Sequence, residues 1–98
     1  MYVTISEIHC EEAGVSRLRD AFRDRLHAVD SFPGFLGLEV LQDRRRRGRF
    51  LMVTRWTSRS SFLLYMKSPE HAASHARIPR HPARPRPAGL TEYELVST

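Results

Sequence analysis

The chain has 98 residues, 41% of them hydrophobic, with one cysteine and a formal net charge of +5. That length supports one domain with a modest buried fraction; no apolar run approaches the ~18 residues of a membrane span, and the start MYVTISEIHC lacks a basic-then-apolar leader pattern, so a soluble cytoplasmic protein is expected. Cys10 alone excludes an intrachain disulfide or a thiolate metal cluster, and a charge carried almost wholly by arginine, with Lys67 the sole lysine, draws phosphates or carboxylates.

Tyr2 to Cys10 alternates branched and polar residues, as a strand does. After a turn at Ala13 and Gly14, Ser16 is placed to cap a helix in which Leu18, Ala21, Phe22, Leu26 and Val29 recur every three or four residues as one buried face. Pro33 disfavours helical geometry at Phe32, so the helix stops before it, and Pro33-Gly34 turns the chain into an apolar strand, Phe35 to Gln42. Arg44 to Arg47, with Gly48 and Arg49 behind them, read as a solvated hairpin turn leading to a third strand, Phe50 to Thr57.

Thr57 or Ser58 caps a second helix, with Phe62, Tyr65 and Met66 on one side and Leu63 flanking them. Ser68-Pro69 interrupts that pattern. Proline suits the first turn of a helix, so a short further piece, Glu70 to Ala76, is expected, placing His71 and His75 one turn apart. The proline-rich run from Ile78 to Gly89 forms a surface loop, and Leu90 to Ser97 alternates again as a fourth strand.

Strand, helix, strand, strand, helix, strand is the α+β ferredoxin-like βαββαβ order: a four-stranded antiparallel sheet with both helices on one face, in a single domain over residues 1–98. Alternation sets Leu36, Leu38 and Val40 against Phe35 and Leu41 on strand two, and Phe50, Met52 and Trp56 against Leu51 and Val53 on strand three. Both faces are apolar, and two helices cover only one. At ~25 cal/mol per Å² the other face is costly to leave wet, so a homodimer packed sheet to sheet is expected.

SFPGFLGLEVL on strand two, FLMVTRW on strand three, the S-x-x-x-F after it and the late His75 are together similar to the antibiotic-biosynthesis monooxygenase family, nearest its heme-degrading branch. The resemblance spans nearly the whole chain and implies a dimeric α+β barrel with one pocket per subunit between the second helix and the sheet. It further implies that His75, by its spacing from Trp56, is the heme-iron ligand. Glu7 stands where the heme-degrading pattern has an asparagine, and Tyr65 where it has a second tryptophan. The quinone-forming, cofactor-free branch departs too, with Met52 and Phe62 at its polar and tyrosine positions.

The resulting expectation is a monooxygenase acting on a flat aromatic ligand, foremost heme, with an external electron donor. Glu7, Tyr65 and Trp56 are the candidate catalytic residues, and His75, Phe62 and Arg77 would hold the cofactor. Glu7 on an interior face would have a raised pKa and serve as a base; pointing outward it would be a carboxylate near Arg55. The alternative within the fold is cofactor-independent oxygenation of a polyketide-like phenol or anthrone to a quinone, with Glu7 removing the proton. A heme carrier without turnover is a third possibility.

An RNA-recognition module shares the element order, and MYVTIS and RGRFLMV faintly resemble its two motifs. Arg49 and Met52 stand where stacking rings belong, leaving Phe50 alone, and Glu92 and Glu94 repel phosphate, which argues against nucleic acid. Zinc lacks a third ligand to join His71 and His75, and His9, His27 and His81 read as strand, helix-surface and loop residues.

Overall fold

The computed structural model describes residues 1–25, 27–76 and 86–98, those at 75, 86 and 87 by backbone only. Leu26, Arg77 and His81 lie outside the described residues. Four strands, β1 (Tyr2–His9), β2 (Phe35–Gln42), β3 (Arg49–Trp56) and β4 (Arg86–Glu94), form one sheet in the order β2-β3-β1-β4, every neighbouring pair antiparallel. The helices are α1 (Val15–Arg23), α2 (Arg59–Met66) and α3 (Pro69–Ala76), with 3₁₀ turns at Glu12–Gly14 and His27–Ser31. This is the ferredoxin-like α+β arrangement. Among the described residues no helix is long and apolar enough to cross a membrane.

Local chemistry accounts for most boundaries. Ser58, in extended conformation, accepts from the Ser61 N–H at 3.3 Å and starts α2. Pro69 occupies the first position of α3, where its missing N–H costs nothing. Asp43 caps the arginine hairpin, its carboxylate accepting from the Arg45 and Arg46 N–H groups at 2.8 and 2.9 Å, and that bonding holds its pKa below the usual carboxylate range.

Three sequence expectations are corrected. Helix α1 starts at Val15 with Gly14 in the cap position and no side-chain cap, so Ser16 lies inside it; the preceding 3₁₀ turn already directs the chain. It also ends at Arg23 rather than near Pro33. Leu18 belongs to one buried cluster, with Val15 and Phe50, and Val29 to another, with Tyr2, Trp56, Phe62 and Tyr65, so the chain unwinds between them to serve both. Strand β4 begins at Arg86 and ends at Glu94, displaced from 90–97; as an edge strand it tolerates proline without losing a central ladder.

The helix-side face of the sheet carries Tyr2, Thr4, Leu38, Val40, Phe50 and Trp56. Phe35 joins it, contrary to strict alternation, because β2 is irregular between Phe35 and Gly37 and both Phe35 and Leu38 then pack on the Trp56 cluster. Gly34 makes this possible. Its φ is +86°, its carbonyl accepts from the Thr57 N–H at 2.8 Å, and a Cβ there would lie 2.3 Å from Ser61 Oγ. Trp56 thereby becomes the centre of an aromatic cluster, with ring centroids of Phe35, Phe62 and Tyr65 at 5.4, 5.8 and 5.4 Å.

The opposite face presents Val3, Ile5, Leu51 and Val53 between two ion-pair groups. At one end Arg49 joins Glu7 and Asp43, at the other Arg55 meets Glu39. Phe50, the ring an RNA-binding sheet would expose, is 2% exposed and packs tilted against Phe22 of α1 at 5.6 Å, so it offers no stacking platform for that reading.

Candidate functional site

A cavity of about 440 Å³ lies between the helix-side face of the sheet and the chain segments that cover it. Strands β1 and β3 form its floor through Thr4, Ser6, Ile8, Met52, Thr54 and Trp56. Phe62 and Tyr65 of α2, with His71 and Ser74 of α3, close the far side. Phe22, Arg25 and Val29 border the α1 side and Leu90 the β4 side. Mostly apolar walls with a few convergent polar groups are the usual make-up of a site for a small flat molecule.

Most polar atoms of the floor are committed. Trp56 Nε1 donates to Thr54 Oγ1 at 2.9 Å, and the Thr54 hydroxyl shares a further hydrogen bond with Thr4. Ser74 differs: its Oγ is buried and has no well-formed hydrogen bond among the described residues, though it lies near enough to the Tyr65 hydroxyl to oppose the rise that burial gives that group's pKa. An orphaned buried hydroxyl in a cavity wall fits a bound group with a complementary polar atom.

Tyr65 is 7% exposed, and burial raises its pKa, with Ser74 and the Arg25 charge opposing in part; the phenol stays protonated at neutral pH and can donate. The His71 ring meets Tyr65 edge-on at 5.2 Å. Arg25 borders the cavity on the α1 side and is tied to Asp30 at 3.3 Å, while Asp30 Oδ2 lies 2.7 Å from His27 Nδ1. Partial burial pushes the Asp30 carboxyl up, yet His27 and Arg25 together hold it below the usual range.

Of the sequence candidates, Trp56, Phe62 and Tyr65 come together in the cavity wall. Trp56 and Phe62 are 1% and 6% exposed, so they are core residues that also form wall. His75 has its backbone on α3, directly after Ser74 and one turn after His71; its side chain, like all of Arg77, lies outside the described residues. Among the described residues no cluster of three or more His, Cys, Asp or Glu is arranged to hold a metal ion.

Glu7 does not take the interior position. It borders the cavity where β1 is irregular against β4, between Glu7 and Ile8, but its carboxylate accepts from Arg49 Nη2 at 2.8 Å and lies 2.5 Å from His9 Nε2. The Arg49 hydrogen bond first, then that of His9, hold its pKa down at about 2, the reverse of the rise expected for a buried base. Its partner is Arg49, whereas Arg55 pairs with Glu39.

Sequence reasoning missed Arg25, Ser6, Thr54 and Ser74. One signal was available: Thr4, Ser6 and Thr54 interrupt with polar residues the strand positions that also hold Tyr2, Ile8 and Phe50, and hydroxyls on a core face mark a polar-floored hollow.

The sequence model of the family described as "Antibiotic biosynthesis monooxygenase" matches residues 1–77. A "Heme oxygenase (mycobilin-producing)" of Mycobacterium tuberculosis is 35% identical over 96 residues, covering 96% of this chain and 88% of that protein. A "Heme-degrading monooxygenase" of Bacillus thuringiensis is 37% identical over 62 residues, 61% of this chain and 57% of the relative. Among solved structures, the heme-degrader MhuD from Mycobacterium tuberculosis, with two hemes bound in its active site, superimposes with a TM-score of 0.81 at 33% identity, covering 100% of this chain and 98% of that one.

Proposed function

This chain belongs to the antibiotic biosynthesis monooxygenase family, and we propose that it binds heme in the cavity beneath α2 and α3 and degrades it oxidatively. The observation that carries this reading is an apolar cavity of about 440 Å³ whose wall holds a buried hydroxyl, Ser74, without a hydrogen-bond partner among the described residues, on the helix that also bears His75. The relatives 35% and 37% identical, a heme oxygenase and a heme-degrading monooxygenase, support the same assignment.

His75 is the proposed iron ligand, through a neutral imidazole. Heme, when bound, would supply both the iron that activates dioxygen and the ring that is oxygenated, with electrons from an external donor. The chain's own contributions are distinct. Trp56 and Phe62 exclude water from the apolar wall, and Tyr65, held protonated by burial, offers a hydrogen bond into the cavity. Arg25 places a positive charge at the α1 side where ring carboxylates would be held, a role also proposed for Arg77. The cofactor-free route to a quinone requires a proton acceptor inside the cavity, and Glu7, held by Arg49 and His9, is poorly suited to it.

A second copy of the chain is the proposed cover for the outer sheet face, where Val3, Ile5, Leu51 and Tyr93 are at best half-buried. Sedimentation equilibrium tests this, with a dimer expected and a concentration-independent monomer overturning it.

Titration with hemin should give a Soret band that is lost in His75→Ala. Adding a reductant in air should then bleach the band and release a linear tetrapyrrole. A band unchanged in His75→Ala removes that ligand assignment; stable heme under reductant makes the protein a carrier; oxygen uptake with an anthrone and no Soret band returns the quinone-forming reading.

A further inference from the structure

A separate groove of about 330 Å³ lies between α1 and the β2–β3 side of the sheet. Its apolar lining is Phe22, Leu38 and Val40 over the buried Phe50 ring, and its charged rim is Arg19, Arg23 and Arg25. Phe22, Arg25 and Leu38 also border the cavity, so the two hollows share a wall.

The rim is the unusual part. Arg25 is tied to Asp30, but Arg19 and Arg23 have no hydrogen bond or ion pair among the described residues. They stand one helical turn apart, and like charges at that spacing weaken a helix. Both line the groove together with Phe22, so the same hollow offers two guanidiniums and an aromatic ring. At the hairpin end Gln42 also borders the groove, its amide fixed by donating to the Arg47 carbonyl at 2.8 Å. Planar guanidiniums bind carboxylates bidentately, and the apolar floor selects for a molecule with a hydrocarbon body.

We propose that this groove is a second ligand site for an apolar molecule bearing two carboxylates, and that it receives the opened tetrapyrrole released from the neighbouring cavity. The identity of the occupant rests on the heme reading; the ligand class rests on the groove itself. The opened tetrapyrrole keeps both carboxylates of the macrocycle but is an articulated chain, so it can follow a shallow groove surface that a rigid ring cannot. Arg19 and Arg23 hold the carboxylates, and the half-buried Phe22, Leu38 and Val40 take the pyrrole edges.

The test uses biliverdin and its dimethyl ester as probes, titrated into the wild-type protein, Arg19→Gln/Arg23→Gln and Arg19→Lys/Arg23→Lys, with binding read by induced circular dichroism. Glutamine and lysine are both good helix formers at these surface positions, so folding is preserved, as far-UV circular dichroism would verify. The diacid should bind wild type about tenfold more tightly than the ester, the glutamine pair should lose that preference, and the lysine pair should keep part of it. Hemin affinity of the glutamine pair should stay within about twofold of wild type, because neither arginine borders the cavity. Equal biliverdin binding by wild type and the glutamine pair overturns the proposal, as does an equal loss of biliverdin and hemin, which would place both ligands in one hollow. A wild-type protein that gives no Soret band with hemin overturns the heme reading alone, since the diacid-to-ester comparison still reports on the groove.

Discussion

Trp56 Nε1 donates to Thr54 Oγ1 at 2.9 Å, two residues away on the same face of β3, and Thr54 in turn shares a hydrogen bond with Thr4 across the β1–β3 pair. All three are buried, at 1%, 8% and 1% exposure, so one hydroxyl satisfies an indole and ties together two central strands beneath the cavity. Thr54→Val keeps the shape and removes that hydroxyl, leaving the indole N–H and the Thr4 hydroxyl without their partner. A loss of about 2 kcal/mol or more in urea unfolding is expected, with Thr54→Ser losing less.

Ser74 has the opposite character. Its buried oxygen makes no hydrogen bond among the described residues, and serine is a poorer helix former than alanine. Ser74→Ala should therefore stabilise the unliganded protein by about 1 kcal/mol, measured by chemical denaturation, while weakening hemin binding if the hydroxyl serves the ligand. A destabilised Ser74→Ala would show that the hydroxyl is already satisfied.

The Tyr2 hydroxyl donates to Glu92 at 2.5 Å, and burial, then the hydrogen bond and negative charge of Glu92, push its pKa up to about 12. A pKa raised on folding favours the protonated phenol, so this contribution is complete below pH ~10 and is lost as pH climbs through the folded value. Stability should fall between pH 10 and 12 by on the order of 2 kcal/mol from this group. Tyr2→Phe should be less stable at neutral pH and show a flatter alkaline limb, as followed by thermal unfolding.

Glu7 sets the acid side. Its pKa of about 2 lies below the ordinary 4.5, so its pairing with Arg49 and His9 stabilises the fold above pH 4.5 and is lost as pH falls toward 2. Glu7→Gln should shrink the drop in melting temperature between pH 5 and 2 without altering hemin affinity, because the carboxylate belongs to the Arg49 pair. A large change in hemin affinity would return Glu7 to the site.

Much of the architecture was readable from residue spacing. The strand cores at Tyr2, Phe35 and Phe50, the Ser58 cap, and Pro69 opening a separate short helix are all consequences of local chemistry acting within four residues. What escaped were departures from regularity. Phe35 changes faces because β2 is irregular after it, and Val29 reaches the Trp56 cluster only because α1 stops at Arg23. Neither follows from a periodic pattern, since each is chosen by what the residue packs on.

The candidate site divides along the same line. Trp56, Phe62 and Tyr65 were legible because large rings on strand and helix faces must be buried somewhere, and the element order brings those faces together. Glu7 was ambiguous because a carboxylate can be satisfied on either side of a strand, and only tertiary proximity to Arg49, 42 residues along the chain, decided it. The amino-acid order alone thus determined which faces are apolar and hence the layering of the fold. Folding decided which charges are neutralised, which hydroxyl is left unpaired, and where the two hollows open, because those depend on Coulombic and packing partners distant in sequence.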